Sequence, residues 1–227
     1  MGGRRHYYTL IASLPRLPRF DRAERLPINR ERLTERLGML EPEDAELVER
    51  AAAFIRWQRQ PVARTDQEMV TYYERVAELI QEPILACMFE FLINQRTIIA
   101  ALRRRHRGLP APAAGQRWGV GRWVGHIERN WDDPDFKLRA LYPWIPQARE
   151  HLEAGEALAL DRLLMNLVWD TMDRMAEGGE FSLEALLAYL FKWDILEQWL
   201  SYDKEEAKAR FEELVSEVSG EQERIFQ

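Results

Sequence analysis

The sequence predicts an all-α protein, and three observations lead there. Apolar residues recur at three- and four-residue spacing over most of the 227 residues, the mark of helices with one buried face. No segment sustains the period-two alternation of a half-buried strand, and neither Asn-Gly nor Asp-Gly occurs to close a hairpin. Helix start and stop residues punctuate the periodic runs at intervals that suit helices.

Taken in order, Tyr7, Leu10, Ile11 and Leu14 share one helical face that stops at Pro15. Asn29 can cap a short helix carrying Leu33 and Leu37, with Gly38 at its end. Pro42 opens the next helix, whose inward face is Leu47, Ala51, Phe54 and Ile55, with Pro61 beyond it. Thr65 and Glu68 form a capping box for a helix presenting Met69, Tyr72, Tyr73, Val76, Leu79 and Ile80. Pro83 breaks that run, and a long helix then reaches about Gly108, with Pro110 past its end.

Residues 109–121 concentrate Pro and Gly and lose all periodicity, so they read as a linker between an N-terminal lobe, 1–108, and a C-terminal lobe, 122–227. Pro134, Pro143 and Pro146 divide the following chain into short helices. A long helix spans about 156–177, with Leu160, Leu163, Leu164, Leu167, Val168 and Met172 inward, and stops at Gly178-Gly179. Phe181 and Ser182 read as staple and cap of another helix, and Asp203 with Glu206 starts a final acidic one.

Two of the most apolar segments resemble each other. Residues 84–93 align without gaps on 186–195, with Leu85/Leu187, Ala86/Ala188, Phe89/Phe191 and Ile93/Ile195 identical. An internal repeat at this scale suggests a pseudo-symmetric helical protein whose product is a shape. Buried amphipathic helices also share Leu, Ala and Phe without any repeat, and ten residues do not separate the two explanations.

Hydrophobic residues make up 46% and charged residues 31% of the chain, enough for a substantial core. The mean hydropathy of -0.44 agrees, and no uninterrupted apolar stretch approaches the ~18 residues of a membrane span. The apolar run from Tyr7 to Leu14 is short and lacks a small-residue cleavage site, so it makes a poor signal peptide. Cys87 is the single cysteine; it cannot form an internal disulfide and reads as a small core residue in a reducing cytoplasm.

The net charge of -6 hides an asymmetry. Arginines crowd the N-terminal stretch, a second basic cluster of Arg103, Arg104, Arg105 and Arg107 closes the long helix, and residues from 203 onward are acidic. A pI near 5.4 argues against a nucleic-acid partner. Solvated helix faces explain such runs most simply, and a bipolar surface for two protein partners is the functional alternative.

Catalytic and metal motifs are weak. His6, His106, His126 and His151 have no ligand partner at helical spacing, and His126 with Glu128 points to opposite sides of a helix. Gly115, Gly119, Gly121 and Gly125 do not follow phosphate-loop spacing and read as a hinge. Asp170 and Asp173 lie one turn apart and could serve acid-base work or a metal, but the Glu-x-x-His motifs of a ferritin-like site are absent. No catalytic residue, cofactor site or metal site is therefore assigned. Among the eight tryptophans, Trp169 and Trp193 belong to apolar faces. Trp118, Trp123, Trp131 and Trp144 lie among Gly, Pro and charge and are candidates for a contact surface or a seam between lobes.

Three stretches carry a family resemblance: Tyr7–Pro15, the run Phe91–Arg103 followed by Arg107-Gly108-Leu109, and Phe181–Lys192. They resemble the C-type subunits of the V/A-type rotary ATPases (d-type in eukaryotes), and more narrowly a short bacterial branch encoded with V-type ATPase genes. The resemblance implies a funnel of repeated helical units that is not catalytic and takes no cofactor. It implies that the chain seats the central rotor stalk on the membrane rotor ring, cytoplasmic and peripheral to the inner membrane without inserting into it. This chain is shorter than the usual three-unit protein of that family, and Gln95 and Arg96 depart from the family pattern. Under this reading Arg103, Arg104, Arg105 and Arg107, with Trp118 and Trp123, are the expected partner-binding residues, and the acidic final helix is a second docking edge. An all-α metal-dependent enzyme using Asp170, Asp173, Glu128 or His126 between the lobes, and a generic helical adaptor, are the alternatives.

Overall fold

Local signals fix the helix ends. The computed structural model describes residues 6–59, 66–80, 83–113, 115–177 and 179–202. They form α1 (Tyr8–Ser13), α2 (Arg30–Leu37), α3 (Pro42–Arg59), α4 (Asp66–Leu79), α5 (Pro83–His106), α6 (Val124–Arg129), α7 (Ile145–Glu153), α8 (Ala157–Ala176) and α9 over 183–202, with a 3₁₀ turn at Phe20–Arg22. Among the described residues there is no strand beyond an isolated bridge between His6 and Ser182, so the fold is all-α.

Asn29 caps α2 as expected, its Oδ1 accepting the Arg32 N–H at 2.9 Å. Pro42 and Pro83 are the first residues of α3 and α5, where a missing N–H costs no helical bond. The Ser182 Oγ accepts the Ala185 N–H at 3.3 Å and starts α9. Gly108, at φ 70°, ends α5. Its N–H donates to Arg105 O at 2.8 Å and that of Leu109 to Arg104 O at 3.1 Å, the paired bonds of a Schellman cap. Gly155 repeats the device after α7. The Thr65 capping box, Pro61, the Asp203 start signal and the acidic run after it lie outside the described residues.

The chain divides into two units, but not at 109–121. One comprises Met1–Gln58 with Trp169–Gln227, the other Arg59–Val168. The expected lobes 1–108 and 122–227 are thus corrected, because chain-distant segments pair within the first unit. There the Tyr7 N–H donates to Phe181 O at 2.7 Å, the Tyr189 hydroxyl to Pro15 O at 3.1 Å and the Trp193 indole N–H to Ile28 O at 2.8 Å. Phe20 is fully buried between Trp169 and Trp199, at centroid distances of 5.8 and 5.1 Å. Leu10, Leu33, Leu47, Met172, Leu186, Leu187 and Leu196 complete this core.

In the second unit, α5 is the central element. Ile98, Ile99, Ala101 and Leu102 pack with Trp118, Ile127, Phe136, Leu138, Trp144, Ile145, Ala148 and Leu160. The expected linker and hinge is instead a strap laid on α5. The Thr97 hydroxyl donates to Val120 O at 2.7 Å and accepts the Val120 N–H at 3.1 Å. Only glycine allows this approach: a Cβ on Gly119 would lie 2.9 Å from Thr97 Cγ2. At Gly121, where φ is 93°, a Cβ would lie 3.1 Å from Asn94 Oδ1.

Leu85–His106 within α5 is long and apolar enough by length and composition to cross a membrane, although polar residues interrupt its apolar run. Of its most apolar window, 67% is buried inside the protein, as for a core helix. Cys87 corrects another expectation: it is exposed. Leu85, Met88, Phe89 and Leu92 turn inward at helical spacing, which puts residue 87 on the opposite face.

Candidate functional site

The interruption of the apolar α5 by Asn94, Gln95, Arg96 and Thr97 is the most unusual feature of the second unit. Asn94, Gln95 and Thr97 are all buried, and a buried polar side chain calls for a partner. Thr97 holds the strap. Gln95 Nε2 donates to Leu164 O on α8 at 3.3 Å. Asn94 Oδ1 is buried without a partner among the described residues, beneath Gly121.

Arg96 reaches α4. Its guanidinium donates to the Tyr73 hydroxyl and lies over the Tyr73 ring at 5.8 Å. These residues wall a half-open cleft of about 300 Å³ between α4, α5, the strap and α8. Arg103 and Trp118 contribute to it, and Asp161 is its acidic member. Met69, Val70, Ile99 and Leu164 supply apolar wall. Concave, mostly apolar sites with a few polar groups are the usual small-molecule geometry.

The expected docking residues sort into two kinds. Arg103 and Arg107 are exposed, and neither side chain is hydrogen-bonded or ion-paired among the described residues. Arg104 and Arg105 are half-buried and hydrogen-bonded within the protein instead. Arg104 Nε donates to Pro110 O at 3.0 Å and its Nη2 approaches Gln116 Oε1 at 3.5 Å. Arg105 Nη1 donates to Asp133 O at 2.5 Å, and its guanidinium lies 5.3 Å over the fully buried Phe136. All four cations also complement the C-terminal end of the α5 dipole.

Trp118 is not a contact surface: it is buried, and its Nε1 donates to Glu128 Oε1 at 2.9 Å. Trp123 is half-buried, donating to the Tyr142 hydroxyl at 2.7 Å with Arg122 over its ring at 4.9 Å. Trp131 packs on Phe136 and Trp144 is buried. Gly and Pro around these indoles reflect tight turns that bring them inward.

One such turn stands out. Phe136 and Lys137 both adopt positive φ, 53° and 55°, a conformation that is costly for residues with a Cβ. Asp133 supports it: one carboxylate oxygen accepts the N–H groups of Asp135 and Lys137, each at 2.9 Å. Those backbone bonds, from Lys137 first and then Asp135, hold the Asp133 carboxyl below its ordinary range, with Lys137 and Arg105 adding charge attraction. Arg149 pairs with the buried Asp135 at 3.2 Å, and His126 Nε2 contacts Phe136 O at 3.0 Å.

The carboxylates and the imidazole considered for chemistry are engaged elsewhere. Asp170 pairs with Arg19 at 3.3 Å and Asp173 with Lys192 at 2.6 Å. Glu128 holds Trp118 and His126 supports the Phe136 turn. Among the described residues no three His, Cys, Asp or Glu side chains are grouped to hold a metal. Sequence reasoning missed Tyr73, Gln95, Arg96 and Asp161 as cleft residues. The polar interruption at 94–97 was the available signal; nothing local marks Tyr73 or Asp161.

No curated protein and no solved structure is significantly similar to this chain. A family model does match, over residues 47–222, which include every residue of the cleft. The chain belongs to DUF2764, a family of proteins of unknown function.

Proposed function

We propose that the chain is a non-catalytic component of a V/A-type rotary ATPase that couples the central rotor stalk to the membrane rotor ring. It would sit at the cytoplasmic face of the inner membrane through that complex. The observation that carries the reading is the shared register of the two similar segments. Leu85, Met88, Phe89 and Ile93 are buried in α5, and their counterparts Leu187, Leu190, Phe191 and Ile195 are buried in α9. Each unit therefore builds its core on one copy of the same apolar pattern, as a protein made of repeated helical units does. The resemblance of three stretches to the C-type stalk-to-ring coupling family supplies the partner class.

Torque transfer asks for a stiff helical body and oriented contacts. Arg103 and Arg107 are the exposed cations at the end of α5 and supply charge that steers a partner more than it tightens one. Purification of the tagged chain from its native host, with mass spectrometry of the co-purifying proteins, tests the proposal. Stalk and ring proteins recovered in stoichiometric amounts are the expected result. Recovery of the chain alone, or with unrelated proteins, refutes it. The double reversal Arg103→Glu/Arg107→Glu should reduce that recovery while leaving the fold intact.

A further inference from the structure

We infer that the outward face of residues 14–26, in the first unit, is a docking row for an acidic helix of a partner protein. The inference goes beyond the rotary-ATPase proposal and uses neither Arg103 nor Arg107, so the two stand or fall separately.

The sequence carries a three-residue rhythm here. Leu14, Leu17, Phe20, Ala23 and Leu26 alternate with Arg16, Arg19, Arg22 and Arg25, and Pro15, Pro18, Asp21 and Glu24 fill the third position. The two prolines fix their own φ and push Leu14 and Leu17 out of the helical region. The backbone is close to polyproline II at Leu14 (φ -82°, ψ 132°), Arg19 (φ -58°, ψ 137°) and Ala23 (φ -89°, ψ 131°). The 3₁₀ turn Phe20–Arg22 lies between the last two. Both conformations have about three residues per turn, so the rhythm keeps its faces through the change. Phe20 is buried and the other four apolar positions are half-buried, whereas Arg16, Arg22 and Arg25 are exposed.

The backbone of the row is held in advance. The Tyr189 hydroxyl donates to Pro15 O, Phe20 lies between Trp169 and Trp199, and the Trp193 indole N–H donates to Ile28 O, so binding costs little backbone entropy. Arg19 pairs with Asp170 at 3.3 Å and lies 3.7 Å from Asp21. Arg16, Arg22 and Arg25 have no hydrogen bond or ion pair among the described residues. Successive arginines start about 9 Å apart along polyproline II and about 6 Å apart along a 3₁₀ turn. Carboxylates on one face of an α-helix stand about 6 Å apart at i, i+4 and about 10 Å apart at i, i+7, and a guanidinium takes a carboxylate through two parallel bonds. A nucleic acid fits less well, because its binders spread about 6–10 phosphate contacts over a basic face and this chain has a net charge of -6. A bilayer also fits less well, because no large apolar side chain of the segment is exposed to insert beside the cations.

The probe is an alanine-rich helical peptide of about 16 residues with Glu at every fourth position, and the control is the same peptide with Gln for Glu. Each is titrated into the full chain and followed by amide chemical shifts. The Glu peptide should bind with a Kd of about 0.1–1 mM at low salt, with shifts concentrated at residues 14–26. Binding should weaken by about tenfold at physiological salt, and the Gln peptide should bind at least about tenfold more weakly. The triple variant Arg16→Gln/Arg22→Gln/Arg25→Gln should lose binding by about tenfold or more. The charge-matched variant Arg75→Gln/Arg129→Gln/Arg139→Gln, at exposed positions of the second unit, should not. The inference is overturned by no saturation at ten times the expected Kd, by equal affinity for the two peptides, or by equal loss in the two triple variants. Larger shifts at 14–26 with an oligothymidylate or with phosphatidylglycerol vesicles than with the Glu peptide also overturn it. The comparison of the two peptides uses the unaltered chain and decides the matter even where a variant folds poorly.

Discussion

Thr97→Val tests the strap most directly. Valine keeps Cγ2 and replaces the hydroxyl with a methyl group, so the shape of α5 barely changes. The donor to Val120 O and the acceptor for Val120 N–H are both lost. Thr97 is 4% exposed, so water cannot replace the hydroxyl on its side of the contact. Two hydrogen bonds at about 0.5–1.5 kcal/mol each give an expected loss of about 2 kcal/mol. Urea denaturation should show it as a midpoint lower by about 1 M, for a slope near 2 kcal/mol per molar. Thr97→Ser is the control. It keeps the oxygen and removes a buried methyl group, which costs about 1 kcal/mol. Hydrogen exchange supplies a local readout, because the Val120 amide should lose protection in the valine variant and keep it in the serine variant. If Thr97→Val costs under about 0.5 kcal/mol, or less than Thr97→Ser, the hydroxyl does not hold the strap and the reasoning fails.

Gly121→Ala should destabilise by about 2–4 kcal/mol through the positive φ and the contacts at 3.1 Å with Asn94 Oδ1 and 3.2 Å with Ile93 Cγ2; thermal or chemical unfolding reads it. Arg105→Glu should cost about 1–3 kcal/mol by stranding Asp133 O and Phe136, whereas Arg103→Glu and Arg107→Glu should stay within about 0.5 kcal/mol, and equal costs at all three would contradict the sorting of this cluster. Burial raises the Tyr189 phenol above its ordinary 10.0, so the unfolded chain ionises first and stability present below pH 10.0 is lost as pH rises beyond it. Tyr189→Phe should flatten that alkaline fall. The Asp133 carboxyl is shifted the other way, below 3.8, so its contribution is present above that pH and is lost as acid protonates it. Asp133→Asn keeps an acceptor oxygen but cannot titrate, and an acid unfolding curve identical to that of the unaltered chain would remove Asp133 as a pH-dependent support of the Phe136 turn.

What the sequence revealed was local, and what it concealed was long-range. Asn29, Ser182, Gly108 and the prolines at 42 and 83 act within one turn of themselves, so their residue type alone announces a helix end. The segment 109–121 announces a loop just as plainly, but loop composition does not say what a loop lies on. Its partner Thr97 sits 23 residues from Val120 and looks like any threonine in a helix. The same limit hid the division into units, since Trp193 and Ile28 pair across 165 residues without a motif to mark either. Trp118 was misread for the related reason that glycine and proline neighbours suggest exposure, while here they let the chain turn the indole inward onto Glu128. Cys87 was legible and missed: the inward spacing of Leu85, Met88, Phe89 and Leu92 already places it outside. Of the cleft, Gln95 and Arg96 could be suspected, because buried polar residues in an apolar helix must be answered by something. Tyr73 and Asp161 could not, because they answer from other helices. The self-resemblance is the intermediate case. Sequence alone leaves it level with coincidence, and identical residues at four positions do not change that. Burial is shared at 85/187, 88/190, 89/191 and 93/195 but not at the identical pair Ala86 and Ala188, the first exposed and the second buried, and two helices aligned on their apolar residues turn those residues inward whether or not they are copies of one unit.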